Sequence, residues 1–152
     1  MSADAAGRVR IDGAIRAEAT LVAISEACPV GVDIECLEPD ERSEVLADAL
    51  TPTERRRLDA LSPTRRWPEF IRLWTLKEAG AKALALGMDL DFTAVEGSLD
   101  PPALRFMRGV PDDPIDLAVR SVERRGRAYQ VSAAALRAGR HATRFCFETR
   151  AE

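Results

Sequence analysis

Lysine is almost missing from this chain. Of its 22 basic residues, 20 are arginines and only Lys77 and Lys82 are lysines, both within one short segment beside Glu78. Lysine is a compact point charge and arginine a planar fork, so two neighbouring lysines in an arginine-rich chain call for a local reason, unless their closeness is chance. Long apolar runs are missing too. None approaches the ~20 residues of a membrane-spanning helix, which excludes that class. Residues 1–13 carry charges of both signs and no apolar stretch, so they do not read as a secretory signal. Cysteine is scarce: Cys28, Cys36 and Cys146 form no CxxC pair and cannot all pair with one another. Reduced thiols and a cytoplasmic location follow as the expectation. The one histidine, His141, reads as a loop or surface residue. With a net charge of −3 there is no basic excess to support a general nucleic-acid binder.

The chain also has no internal repeat, low-complexity tract or linker. Its 152 residues, 46% hydrophobic and 31% charged, suit one domain with a sizeable core. Lead-in strands are expected within residues 8–25, at 8–12 and 19–25. Residues 30–36 form a stronger strand, with Val32 and Ile34 on one face and Asp33 and Glu35 on the other. A short helix is expected over 42–50. Thr51-Pro52-Thr53-Glu54 is a capping box with proline at the first helical position, which predicts a helix over 52–61. After a break at 62–64, the spacing predicts the longest helix over 67–86, apolar on two sides and therefore central, with Gly87 just past its end. The tail, 89–152, reads as strands: 91–98 and 103–107, a hairpin of 115–123 with 128–134, and a last strand at 142–149. Strand, helices, then several strands make the fold class α+β, a single domain over residues 1–152.

Chemistry is concentrated between residues 30 and 88. Asp33 and Glu35 point the same way from one strand, and two close carboxylates disfavour each other's ionisation. A solvated strand face or a divalent cation site would each account for the pair; Mg²⁺ takes a few carboxylates together with waters and phosphate oxygens. Glu78 adds a third carboxylate in a helix of Trp, Leu and Ala, with Lys82 one turn on. An ordinary Glu78–Lys82 surface pair is one account of these two. Together, three carboxylates and two lysines suit a metal and a diphosphate. Arg55-Arg56-Arg57, Arg65-Arg66 and Arg72 form a basic region, either a solvated face or a docking face for an acidic partner. Trp67, Phe70 and Trp74 have the spacing of core residues, and Cys36 packs as a small apolar one.

Gly31-Val32-Asp33-Ile34-Glu35, then Thr51-Pro52-Thr53-Glu54, then Phe70-x-x-x-Trp74-Thr75-Leu76-Lys77-Glu78-Ala79-x-x-Lys82 resembles the signature of 4′-phosphopantetheinyl transferases. The form is that of the Sfp type, with Asp-x-Glu on the strand and Trp-x-x-Lys-Glu-Ala on the helix. The resemblance implies Mg²⁺-dependent (or Mn²⁺-dependent) transfer of phosphopantetheine from coenzyme A to a serine of an acyl or peptidyl carrier protein. It makes Asp33, Glu35 and Glu78 the metal ligands and gives Glu78 a part in deprotonating the serine. Lys77 and Lys82 would hold the coenzyme A phosphates, and Lys82 would protonate the leaving 3′,5′-ADP.

The chain departs from that pattern in two respects. A Ser-His-Ser-like element is expected before the Asp strand, and residues 14–19 contain no histidine. Sfp-type enzymes are pseudo-dimers of two similar halves, and this chain corresponds to the second half. Its length is that of the single-module holo-acyl-carrier-protein synthase type, which builds its site between identical subunits. Association is therefore expected, as a dimer or trimer or with a partner subunit. Arg8, Arg10 and Arg16 are the candidates to grip the coenzyme A 3′-phosphate. A degenerate homologue that binds coenzyme A or a carrier protein without turnover is the alternative function.

Overall fold

Alternating apolar and polar residues build the strands, and the tightest turn is set by two residues. In the computed structural model, which describes residues 10–16, 19–39, 47–107, 114–137, 139 and 142–148, β1 (Arg10–Arg16) and β2 (Ala19–Ser25) form an antiparallel hairpin. β3 (Val30–Cys36) follows, then the helices α1 (Pro52–Asp59) and α2 (Pro63–Ala83). β4 (Val95–Leu99) and β5 (Pro102–Phe106) make a second hairpin, and β6 (Ile115–Arg124) and β7 (Arg127–Leu136) a third. Arg125 and Gly126 both have positive φ, 49° and 73°, as a two-residue hairpin turn of the I′ kind requires. β3 joins the other edge of β7, giving a three-stranded antiparallel sheet in the order β3-β7-β6. This is the α+β arrangement.

The sheet buries both faces of β3. On one face Ile34, Val131 and Tyr129 pack with Ala19, Ala14 and Leu21 of the first hairpin. On the other, α2 lies against Gly31 so closely that a Cβ there would overlap the Ala79 carbonyl oxygen and the Ala83 amide nitrogen, and would sit 2.8 Å from Lys82 Cβ. Ala79, Ala83 and Ala134 line this contact, each nearly fully buried. Small side chains on both elements let a helix approach a sheet this closely. The N-terminal half of α2 carries the largest cluster, in which Leu58, Phe70, Ile71, Leu73 and Trp74 meet Phe92 and Val95. Trp74 and Phe92 tilt against each other at 5.2 Å between ring centres, a favoured aromatic geometry.

Several boundaries differ from the sequence expectations, each for a local reason. Residues 62–64 open α2 rather than interrupt the helices: Ser62 is the N-cap position and Pro63 the first helical residue, where its missing N–H is harmless. Ala85 takes the left-handed turn after α2 (φ 57°), with Leu86 N–H returning to Ala81 O at 2.9 Å. Gly87 instead opens the short 3₁₀ turn Gly87–Asp89. The strand expected from 91 starts at Val95, because Asp91 accepts a hydrogen bond from Thr93 N–H and caps a 3₁₀ turn over Phe92–Ala94. No strand forms over 142–148. There Thr143 N–H donates to the Asp116 carboxylate at 2.6 Å, and Asp116 is also clamped by Arg137. A side chain thus takes a donor that a ladder would use. Within the helix expected over 42–50, residues 42–46 lie outside the described residues and Ala47–Ala49 is a 3₁₀ turn. Residues 8 and 9, with Arg8, and His141 also lie outside them.

Candidate active site

β3 and α2 meet along an acidic seam. Strand alternation turns Gly31, Asp33 and Glu35 to the α2 side. The helix answers with Glu78 and Lys82, four residues apart and therefore on one face. All three carboxylates are buried: Asp33 and Glu35 are 7% exposed and Glu78 8%. Lys82 Nζ donates to Asp33 Oδ1 and to the Val32 carbonyl, both at 3.0 Å. Arg16 Nε meets Glu35 Oε2 at 2.7 Å. Asp12 Oδ2 accepts the Val32 N–H at 2.7 Å, which ties β1 to the outer edge of β3. The first hairpin thus supplies both a clamp and a cation to the seam.

The second oxygen of Asp33, Oδ2, is buried and has no hydrogen-bond partner among the described residues. Burial pushes the Asp33 carboxyl up to about 7; Lys82 opposes the shift, and the charges of Glu78 and Glu35 add to it. Burial likewise raises Glu78, with Lys82 opposing and Glu35 adding. The three acids thus act on one another, as a group of carboxylates does before a cation neutralises it. Hard oxygen donors and an unsatisfied carboxylate oxygen suit Mg²⁺ or Mn²⁺. The geometry here is not a preformed cage, since no set of three acid, His or Cys side chains among the described residues is arranged to hold an ion. Lys82 and Arg16 pair with two of the three acids instead.

Lys77 lies elsewhere. Its ammonium donates to Glu54 Oε2 at 2.6 Å, to Ala49 O at 3.0 Å and to Phe92 O at 3.0 Å, and the Lys77 and Glu54 side chains are 1% and 0% exposed. All three ammonium donors are satisfied inside the protein, so the structure does not bring Lys77 to the acidic seam as the phosphate contact expected from the sequence. Burial holds it below the usual lysine range although Glu54 opposes the shift. Glu54 also accepts from Thr51 N–H at 2.8 Å, closing the capping box, and from Gly97 N–H at 2.7 Å. One carboxylate therefore caps α1, neutralises Lys77 and holds β4. On its own, the capping-box pattern makes Glu54 a local cap. The signal for more was Lys77 itself, a cation in an apolar helix that must find an acid. Thr75 Oγ1 and Ser132 Oγ, 2.9 Å apart, pin the middle of α2 to β7 beside Asp33. Arg10 is exposed at the start of β1.

Once ionised, the buried Asp33 carboxyl costs the free protein stability. Asp33 holds its proton more tightly folded than at its ordinary value of 3.8. Its contribution is complete below that value and is lost as pH rises through about 7. Asp33→Asn is expected to unfold at a higher urea concentration than the wild type near pH ~8 in chelator, and the two should converge below pH ~4. A variant less stable than wild type at the higher pH would contradict this.

Residues 29–134 match the model of the 4′-phosphopantetheinyl transferase superfamily. Among solved structures, a holo-(acyl-carrier-protein) synthase from Bacillus anthracis str. Ames, in complex with CoA (3′,5′-ADP), is 22% identical. It has a TM-score of 0.55, with 72% of this chain and 95% of that one covered. The apo-ACPS structure from Chronobacterium ammoiniagenes is 19% identical, with a TM-score of 0.54 and coverages of 72% and 97%. At these identities the two structures speak for the fold. A search of curated proteins matched none. No helix among the described residues is long and apolar enough to cross a membrane. The family match spans β3, both helices and most of β7, and so contains Asp33, Glu35, Glu78 and Lys82: the chain belongs to the 4′-phosphopantetheinyl transferase superfamily.

Proposed function

We propose that this chain, as a single module working in the cytoplasm, moves 4′-phosphopantetheine from coenzyme A onto a serine of an acyl or peptidyl carrier protein. One observation carries the proposal: Glu78 and Lys82 are laid against Asp33 and Glu35, and Asp33 keeps a buried oxygen with no partner among the described residues. Asp33, Glu35 and Glu78 would hold Mg²⁺ or Mn²⁺. A bound ion supplies charge neutralisation at the diphosphate. Lys82, the more exposed of the two lysines at 26%, would leave Asp33 for a phosphate oxygen. The serine oxygen attacks the phosphorus that bears pantetheine, and its proton passes to Glu78. The bond from that phosphorus to the bridging oxygen breaks, and Lys82 gives a proton to the departing 3′,5′-ADP. Positioning and electrostatics supply most of the rate. Lys77 acts from behind, holding α2 in register through Glu54.

Pairing of Lys82 with Asp33 and of Arg16 with Glu35 favours one rival, a homologue that binds coenzyme A or a carrier protein without turnover. Mass spectrometry of an apo carrier protein incubated with this protein, coenzyme A and Mg²⁺ separates the two. Transfer predicts the phosphopantetheine mass gain, a rate lower by orders of magnitude in Glu78→Gln with a melting temperature no lower than wild type, and loss of the gain in chelator. Absence of the gain with wild-type protein, or a near-normal rate in folded Glu78→Gln, rejects the assignment.

Self-association as a dimer or trimer, or pairing with another subunit, belongs to the same proposal. The outer face of the first hairpin carries Ile11, Ile15, Val22 and Ile24, all between 56% and 76% exposed. Ile11 stands opposite Ile24, and Gly13, between the two isoleucines of β1, opposite Val22. Clustered exposed apolar side chains mark an interaction surface. Sedimentation velocity is expected to give an oligomer that Ile15→Lys with Ile24→Lys converts to smaller species. A wild-type monomer with full activity at working concentration would contradict self-association.

A further inference from the structure

Two of the three acids in the seam already hold cations that the chain itself supplies: Lys82 on Asp33 at 3.0 Å and Arg16 on Glu35 at 2.7 Å. Lys82 lies one turn from Glu78, so its place follows from α2 alone. Arg16 comes from another element and needs its own account.

Arg16 is the last residue of β1. Alternation puts Asp12, Ala14 and Arg16 on the half-buried face of that strand and Ile11, Gly13 and Ile15 on the exposed one. Each residue of the half-buried face is directed to β3. Asp12 accepts the Val32 N–H at 2.7 Å, Ala14 packs with the cluster around Ile34, and Arg16 meets Glu35. In its sheet β3 pairs only with β7, so its other edge is open to the hairpin. The hairpin covers the Ile34 face of β3, whereas Glu35 belongs to the α2 face. Arg16 therefore carries its charge past the open edge of the strand and into the seam.

Two properties distinguish this ion pair from a surface bridge. The Glu35 side chain is 9% exposed, so loss of its cation would leave a buried charge uncompensated. The Arg16 side chain is 29% exposed, and its strand is held by the β1–β2 ladder and by Asp12. The guanidinium can therefore swing outward while the hairpin and the carboxylate stay in place.

We propose that Arg16 is a resident counter-ion of the metal site: its guanidinium occupies Glu35 until a divalent cation takes that carboxylate. The inference rests on the assignment of Asp33, Glu35 and Glu78 as metal ligands. An incoming ion must displace a short, buried pair, so the ion alone binds weakly. The guanidinium, once separated from Glu35, stands at the rim of the seam, where a diphosphate would receive it. Ion and diphosphate then favour each other's binding, and the coupling is reciprocal. The same exchange accounts for acids that come together without forming a cage for an ion among the described residues.

The test titrates Mn²⁺ into the full chain by calorimetry, alone and with saturating coenzyme A, a diphosphate diester. We expect Arg16→Gln to bind Mn²⁺ alone about fivefold or more tightly than the wild type, with a smaller gain from coenzyme A. Arg16→Lys keeps a cation and should stay near wild type. Arg105→Gln makes the same charge change on a side chain 73% exposed and outside the seam, and should also stay near wild type. In chelator Arg16→Gln should melt below the wild type, and Mn²⁺ should raise its melting temperature more than that of the wild type. Equal Mn²⁺ affinity in Arg16→Gln and wild type overturns the proposal, as does an Arg16→Gln chain that stays unfolded in saturating Mn²⁺. Tighter Mn²⁺ binding by Arg16→Gln, with no carrier modification by the wild type, overturns the transferase assignment and leaves the counter-ion role standing. No Mn²⁺ binding by either chain, with or without coenzyme A, overturns both the metal ligands and the counter-ion.

Discussion

At Gly31 the backbone of β3 touches the backbone of α2, and the seam is built outward from that contact. With no side chain in the way, the helix comes close enough for Glu78 and Lys82 to face Asp33 and Glu35. Any residue with a Cβ would push the helix from the strand, because the clash is with backbone atoms of Ala79 and Ala83 rather than with a side chain that could turn aside. The alanines at 79, 83 and 134 serve the same end. This stretch buries little apolar volume in comparison with the Phe70–Trp74–Phe92 cluster at the other end of α2. The aromatic end anchors the helix, and the alanine–glycine end sets its distance from the strand.

Close packing fixes a distance, but it does not fix which way the helix is turned. That is set by polar contacts with single partners. Lys77, next to Glu78, points into a socket made by Glu54, Ala49 O and Phe92 O. Thr75, two residues earlier, bonds Ser132 on β7. Breaking one side of a buried ion pair costs about 3–5 kcal/mol, because the other charge is left buried and unpaired. Rotating α2 enough to turn Glu78 away from β3 would break both contacts. The lysine that looked like a phosphate ligand in the sequence thus acts on the seam through the helix that carries it.

Much of this was legible in the sequence because it rests on local rules. Alternation in Val32-Asp33-Ile34-Glu35 put both acids on one face of β3, and the Thr51–Glu54 capping box started α1 where expected. The Arg125-Gly126 turn joined β6 to β7. What sequence alone did not give depends on partners distant in the chain. Glu54 reaches Lys77 across 23 residues and Gly97 across 43, so neither contact leaves a local pattern. Thr143 gives its N–H to Asp116 instead of to a strand ladder, and so 142–148 is not the strand its alternation suggested.

The helix–strand contact at Gly31 brings the acidic seam together, and the proposed transfer depends on that seam. Gly31→Ala, followed by urea unfolding and by the rate of carrier-protein modification on the same sample, tests both. Added volume against backbone should cost about 1–3 kcal/mol or more, and the protein that remains folded should transfer at a small fraction of the wild-type rate. A Gly31→Ala protein with wild-type stability and a wild-type transfer rate would contradict a seam that depends on this contact.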